Sequence, residues 1–506
     1  MRYSRRDLIA RSLCALGASS IPARSLRAAE ITFESDPFTL GVASGYPEPA
    51  AVVLWTRLAP EPLAPGGGLP REPIRVEWEL AADDAFRRIV RNGQTYATGD
   101  WAHSVHVEAT GLEPGRDYWY RFASGGVRSP SGHARTAPVD RASRLKLAVA
   151  SCQHYESGHY GAYSAMAGDD LDLVLHVGDY IYENRGTSRV RAHDMPECHT
   201  LDDYRMRFAL YKSDPLLQAA HASCPWMLTW DDHEVDNDYA AEHSELDDPA
   251  PLFLMRRAAA YQAYYEHQPL PRRMVPFGAH QRLHSRAAFG DLAAIHLLDG
   301  RQYRSPQACG AGTVEPCEAL YARERTMLGE QQERWLADGL AASAARFNLL
   351  AQQTVFAHAD QRSGPGIGYW SDGWSGYPAA RQRLIDGLIE RRVANPIVLS
   401  GDVHAFLVND VHARPGDLDS PIAATELVTT SISSAGPPQA ALDGWRAENA
   451  NIHFARSDVR GYTRVTVAHD GLRAELVAVE DVGRADSGAY VLAAFEVPAG
   501  QAGIGR

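Results

Sequence analysis

Six short segments of the chain carry side chains that bind metals or move protons. They read Ser151-Cys152-Gln153, Gly178-Asp179-Tyr180-Ile181-Tyr182-Glu183, Trp230-Asp231-Asp232-His233-Glu234-Val235-Asp236-Asn237, Asp299-Gly300-Arg301-Gln302-Tyr303-Arg304, Gln352-Gln353-Thr354 and Gly401-Asp402-Val403-His404. Taken singly, each has a bland reading: a strand-end Gly-Asp is a turn, Asp-Asp-His caps a helix, and a lone histidine is a satisfied core group. Packing alone does not require oxygen, nitrogen and sulfur ligands at the ends of several separate strands. Their convergence predicts a metal site.

Each segment follows a short apolar run, and these runs are the elements that must position the chemistry. They are Leu145 to Ala150, Leu171 to Val177, Pro225 to Trp230, Ala293 to Leu298, Phe347 to Ala351 and Pro396 to Ser400. Between them lie amphipathic stretches that predict helices, including Leu254 to Glu266, Leu328 to Leu340 and Pro378 to Val393. Strands alternating with helices predict a layered α/β domain over residues 145–497, with its site in loops at the strand ends. Residues 31–138 read differently, as strands separated by turns with little helical periodicity, among them Ala51 to Trp55, Ile74 to Trp78 and Ser104 to Glu108. The segment Leu112 to Tyr120 resembles the fibronectin type III pattern around a tyrosine corner, which predicts a small N-terminal β-sandwich without chemistry of its own. The boundary falls after Ala137-Pro138.

At 506 residues the chain is too long for one ordinary domain, and its 45% hydrophobic and 22% charged content is globular. Residues 1–29 begin with Ser4-Arg5-Arg6-Asp7-Leu8-Ile9 ahead of a modestly apolar stretch, which reads as a twin-arginine export signal and implies a periplasmic or secreted enzyme. Arg11 interrupts that stretch, so it is not a stable membrane anchor, and Cys14 lacks a lipobox context. Removing the signal takes away six arginines and one aspartate and moves the formal charge from −13 to −18. Such acidity disfavours nucleic acid and anionic membranes as main partners. An anionic substrate then needs local positive charge, which bound metal ions supply. Five cysteines remain. Cys309 with Cys317 closes a small loop, Cys198 with Cys224 is the remaining expected disulfide, and Cys152 is left as a metal ligand.

The Ser-Cys-Gln, Gly-Asp-Tyr-Ile-Tyr-Glu, Trp-Asp-Asp-His-Glu and Gly-Asp-Val-His motifs together resemble the PhoD family of alkaline phosphatases and phosphodiesterases. The likeness extends to Asn451-Ile452-His453-Phe454 and Arg460-Gly461-Tyr462. It implies a calcineurin-like metallophosphoesterase with four α/β/β/α layers and metals at the carboxyl ends of two sheets. The Gly-Asp-x-x-Tyr spacing is also similar to purple acid phosphatases. By this resemblance Asp179 bridges two metals, Cys152 and Tyr182 bind a ferric ion, and Asp402 and His404 complete the shell. Asp232 serves the second metal, with Asp231 as the competing choice, and His233 is catalytic. Asn237 and Arg301 are candidates for calcium or phosphate contact.

One thiolate, one phenolate and three carboxylates carry five negative charges, which Fe3+ and Ca2+ balance. Calcium prefers oxygen, so the Cys152 and Tyr182 side needs another metal, with Zn2+ as the alternative to iron. The expected reaction is hydrolysis of a phosphate ester, in which the metals hold phosphate oxygens and activate a water for in-line attack. His233 stabilises developing charge or protonates the leaving oxygen. A phospholipase D-like activity at the same site is the alternative. A serine hydrolase is disfavoured, because Gly373-Trp374-Ser375-Gly376 lacks the full nucleophile elbow. A non-catalytic surface binding protein is the remote reading.

Overall fold

The computed structural model describes residues 32–186 and 190–504. The expected export signal lies outside them. All six apolar runs are strands, and they divide between two sheets. Leu145–Ala150, Leu173–His176 and Pro225–Leu228 are parallel neighbours in a nine-stranded sheet. Ala293–Leu297, Phe347–Ala351 and Pro396–Ser400 are parallel neighbours in a seven-stranded one. Parallel strands buried on both faces have no polar side to show, which is why they read as unbroken apolar runs.

Alternation along the strands then builds the layers. Leu349, Ile397 and Leu399 point into the core shared with Leu147, Val149 and Leu175 of the other sheet. Their neighbours Leu350 and Val398 point outward against Leu336, Leu340, Ile385 and Leu388 of helices Glu330–Ala342 and Pro378–Glu390. Helices Gly161–Ala167 and Pro215–Ser223 belong to the opposite outer layer, against the nine-stranded sheet. The result is the four-layer α/β/β/α arrangement.

The N-terminal sandwich is present, but it is not a separate body. Ile74–Ala81, Ile89–Ala97 and Asp117–Ser124, with two shorter strands, form one sheet. The opposing strands Val42–Glu48, Ala51–Arg57 and Ser104–Thr110 extend the nine-stranded sheet, through parallel pairing of Ser44 with Pro225 and Gly45 with Trp226. Val52 and Leu54 fill the sandwich core while Val53 between them faces the large core. The expected tyrosine corner forms, with the Glu113 amide donating to the Tyr118 hydroxyl at 2.9 Å.

One disulfide expectation holds and one fails. Cys309 and Cys317 are bonded, whereas Cys198 and Cys224 are free and buried. Cys224 sits just before the strand Pro225–Leu228, at its amino end. Cys198 donates its amide to the Glu183 carbonyl, beyond the carboxyl end of the neighbouring strand Leu173–His176. Opposite ends of parallel strands cannot be bridged by two short side chains.

Candidate metal centre

The strand ends bend into the site through strained backbone. Cys152, Asp179, Asp402 and His404 have φ of 58°, 56°, 64° and 54°. This left-handed region disfavours any residue with a Cβ, at about 1–3 kcal/mol each, and persists only where surrounding bonds enforce it. Here the enforcing bonds are visible. The Cys152 amide donates to the Gly178 carbonyl at 3.1 Å and the Gln153 amide to the Asp179 carbonyl at 3.0 Å. Glu234 accepts from the amides of Asp179, Tyr180 and Asp231 at 3.1, 2.7 and 2.9 Å, clamping two strand ends together. Gly178 is required in this turn. Its φ is 120°, and a Cβ there would come within 2.4 Å of the Asp231 Cβ.

The strained turns bring three donor groups within reach of one another. Cys152 with Asp179 and His404, Asp179 with Asp232 and His233, and Asp232 with Asp238 and Asp372 each place ligand atoms within 4.8 Å of one another. Asp179 belongs to the first two groups, the position a bridging carboxylate needs. Its Oδ1 is buried without a hydrogen-bond partner, while its Oδ2 accepts from the Tyr182 hydroxyl at 2.9 Å. An anionic oxygen kept dry and unpartnered is costly unless a cation meets it. The Tyr182 oxygen also lies 3.1 Å from His404 Nε2 and accepts from Ser434 at 2.8 Å. His404 Nδ1 donates to the Ala435 carbonyl at 2.7 Å, which leaves the Nε2 lone pair for a metal. Burial and the Asp179 charge push the Cys152 thiol well up, and burial with Asp179 does the same to the Tyr182 phenol. A bound cation would turn both into anionic ligands. These residues therefore fit a sulfur-, oxygen- and nitrogen-binding metal beside an oxygen-binding one.

His233 is held by a partner that sequence reading left without a role. Its Nδ1 lies 2.8 Å from Glu183 Oε2, and its ring packs at 4.2 Å from Tyr182. Burial opposes its charge, but Glu183, Asp232 and Asp179 outweigh it and hold the imidazolium well above the usual histidine range. Asn237 lines the cavity, with its amide donating to Glu183 at 3.1 Å and its side chain to Glu245 at 2.7 Å.

Asp231 and Arg301 form a buried pair against the back of the donor groups. Arg301 is fully buried, is not among the residues lining the cavity, and pairs with Asp231, with Asp372 at 2.6 Å and with Asp232 at 3.7 Å. Its guanidinium thus pairs with carboxylates behind the cavity floor. Asp231 pairs with Arg301, and of the two adjacent aspartates Asp232 is the one grouped with Asp179 and His233. Glu183 and Glu234 end motifs already visible in sequence, so their place was marked although their partners were not. Asp372 and Ser434 follow no apolar run ending in a motif, and only the fold brings them in.

Comparison with known proteins gives the family. Residues 147–476 match the PhoD-like phosphatase family, and residues 24–138 match the PhoD-like phosphatase N-terminal domain. Alkaline phosphatase D of Bacillus subtilis (strain 168) is 46% identical over 461 residues, covering 89% of this chain and 79% of that protein. A solved structure of PhoD superposes with a TM-score of 0.90 at 43% identity, covering 94% of this chain and 92% of the other. The chain belongs to the PhoD-like phosphatase family and is an enzyme of the alkaline phosphatase D type.

Proposed function

We propose that this enzyme hydrolyses phosphate mono- and diesters at a mixed Fe3+ and Ca2+ centre after export from the cytoplasm. The observation that carries the reading is the buried, unpartnered Asp179 Oδ1 between a Cys152, Tyr182 and His404 set and an Asp232 set. The thiol and phenol favour iron on the first side, and the carboxylates favour calcium on the second. Bound there, the metals supply Lewis acidity toward phosphoryl oxygens and an activated water. The chain's own residues do the rest. Glu183 fixes the His233 ring through Nδ1, leaving Nε2 to deliver a proton to the departing alcohol oxygen. Arg301 is a positioning residue that holds Asp232 from behind. Residues 31–138 form a supporting domain for the catalytic domain over 145–497.

Purified enzyme should contain iron, show a visible thiolate or phenolate charge-transfer band, and hydrolyse p-nitrophenyl phosphate and bis-p-nitrophenyl phosphate. Tyr182→Phe should shift or remove the band and impair activity, and Cys152→Ser should weaken iron retention. A colourless, iron-free and fully active wild type would defeat the ferric assignment. Export rests on Arg5 and Arg6. Replacing both with lysine should leave the enzyme in the cytoplasm, and unchanged export would remove the twin-arginine pathway while leaving the chemistry intact.

A further inference from the structure

The cavity above the donor groups has a volume of about 410 Å³ and two unlike walls. Its floor is Asp179, Asp232, His233, Asp402 and His404. The other wall is largely apolar, and its largest members are Trp370 and Trp445. Among the described residues lining the cavity, none is lysine or arginine.

The two tryptophans arrive from different elements. Trp370 lies in the short strand Tyr369–Trp370, paired antiparallel with Thr313–Val314 so that Trp370 stands opposite Thr313. The Cys309–Cys317 disulfide closes the loop that carries Thr313–Val314 and staples this ribbon. Strand alternation turns Tyr369 inward against Ala308 and Leu320 and Trp370 toward the cavity, where it stays 37% exposed. Trp445 lies on helix Gln439–Glu448, three residues after the fully buried Leu442, and packs against the cluster containing Ala405, Leu407 and Ile452. Neither tryptophan has an identified role in the metal shell or in proton transfer.

A phosphodiester carries two alcohol groups. One leaves, protonated on its oxygen, and the other remains on phosphorus and must find space. An apolar wall with two indoles and no cation suits an uncharged planar group on that second oxygen. It gives nothing to the extra anionic oxygen a monoester would carry. Resting on the phosphoesterase reading above, we propose that Trp370 and Trp445 form a subsite for an aromatic alcohol group of a phosphodiester and set the enzyme's preference among diesters.

Methyl, cyclohexylmethyl and benzyl p-nitrophenyl phosphates test this on metal-loaded enzyme, because all three release the same alcohol. The benzyl ester should exceed the methyl ester in kcat/KM by about tenfold, as expected for a favourable aromatic contact. Trp370→Ala and Trp445→Ala should each bring that ratio toward one, and Trp370→Phe should restore most of it. Equal preference for benzyl and cyclohexylmethyl esters would overturn the aromatic assignment. So would alanine variants whose rates fall in proportion on all esters, since that marks a merely structural role. Hydrolysis of none of the three by wild-type enzyme would instead remove the diester half of the phosphoesterase reading, and this subsite with it.

Discussion

Asp179 and Asp231 are the same residue type, both lie just beyond parallel strands of one sheet, and each is 1% exposed. Their partners separate them. Asp231 faces the Arg301 guanidinium, itself buried, so that carboxylate has a cation supplied by the protein, although Arg301 is shared with Asp372 and Asp232. Asp179 is offered a phenol, a thiol and a histidine instead, with one oxygen left unpaired. A buried carboxylate must be paired or must bind a cation. On the proposed reading, the same physics makes one aspartate part of the framework and the other part of the reactive centre.

Replacing each carboxylate by its amide should separate these roles. Asp179→Asn should lose metal from both sides of the centre and lower kcat/KM on the order of a thousandfold or more. Asp231→Asn should retain its metals but unfold more readily, because a buried guanidinium would lose one of its carboxylate partners while keeping Asp372, a cost below the roughly 3–5 kcal/mol of a fully broken buried pair. Metal analysis and thermal unfolding on the same two proteins decide the matter. If Asp231→Asn folds normally and loses metal, the contrast breaks and Asp231 joins the shell.

The contrast also shows what could be read before folding. Strands such as Phe347–Ala351 and Pro396–Ser400 were legible to the residue, because burial on both faces writes an unbroken apolar run. The donor residues were legible because a thiol, a phenol and carboxylates at strand ends have no common packing reason. The pairing of Asp231 with Arg301 spans 70 residues, and no local pattern announces it. Cys198 and Cys224 failed for the same reason, since cysteine count says nothing about which end of a strand each occupies. Sharing of a sheet between sandwich and large domain was written in Ala51-Val52-Val53-Leu54-Trp55, an unbroken run where a half-exposed strand would alternate. It looked like any sandwich strand until its second face was covered.

Glu183 gives the finest test, because it lies on neither side of the contrast. Its carboxylate is fully buried and bound to His233, which stands beside Asp179 and Asp232, rather than to an arginine. A carboxylate in that place orients the imidazole and favours its charged form, so it acts on proton delivery through His233. Glu183→Gln keeps the shape and one hydrogen bond while removing the charge. Turnover should fall by about tenfold, less than the loss of about a hundredfold or more expected for His233→Ala, with metal content unchanged in both. The loss should also depend on the leaving group: small for p-nitrophenol, which departs without help, and larger as the departing alcohol becomes more basic. A loss equal across leaving groups would mean that Glu183 only supports the fold around Asn237, whose amide it also accepts. A loss of metal would mean that His233 is a ligand, and the division between paired framework and reactive centre would have to be redrawn to include it.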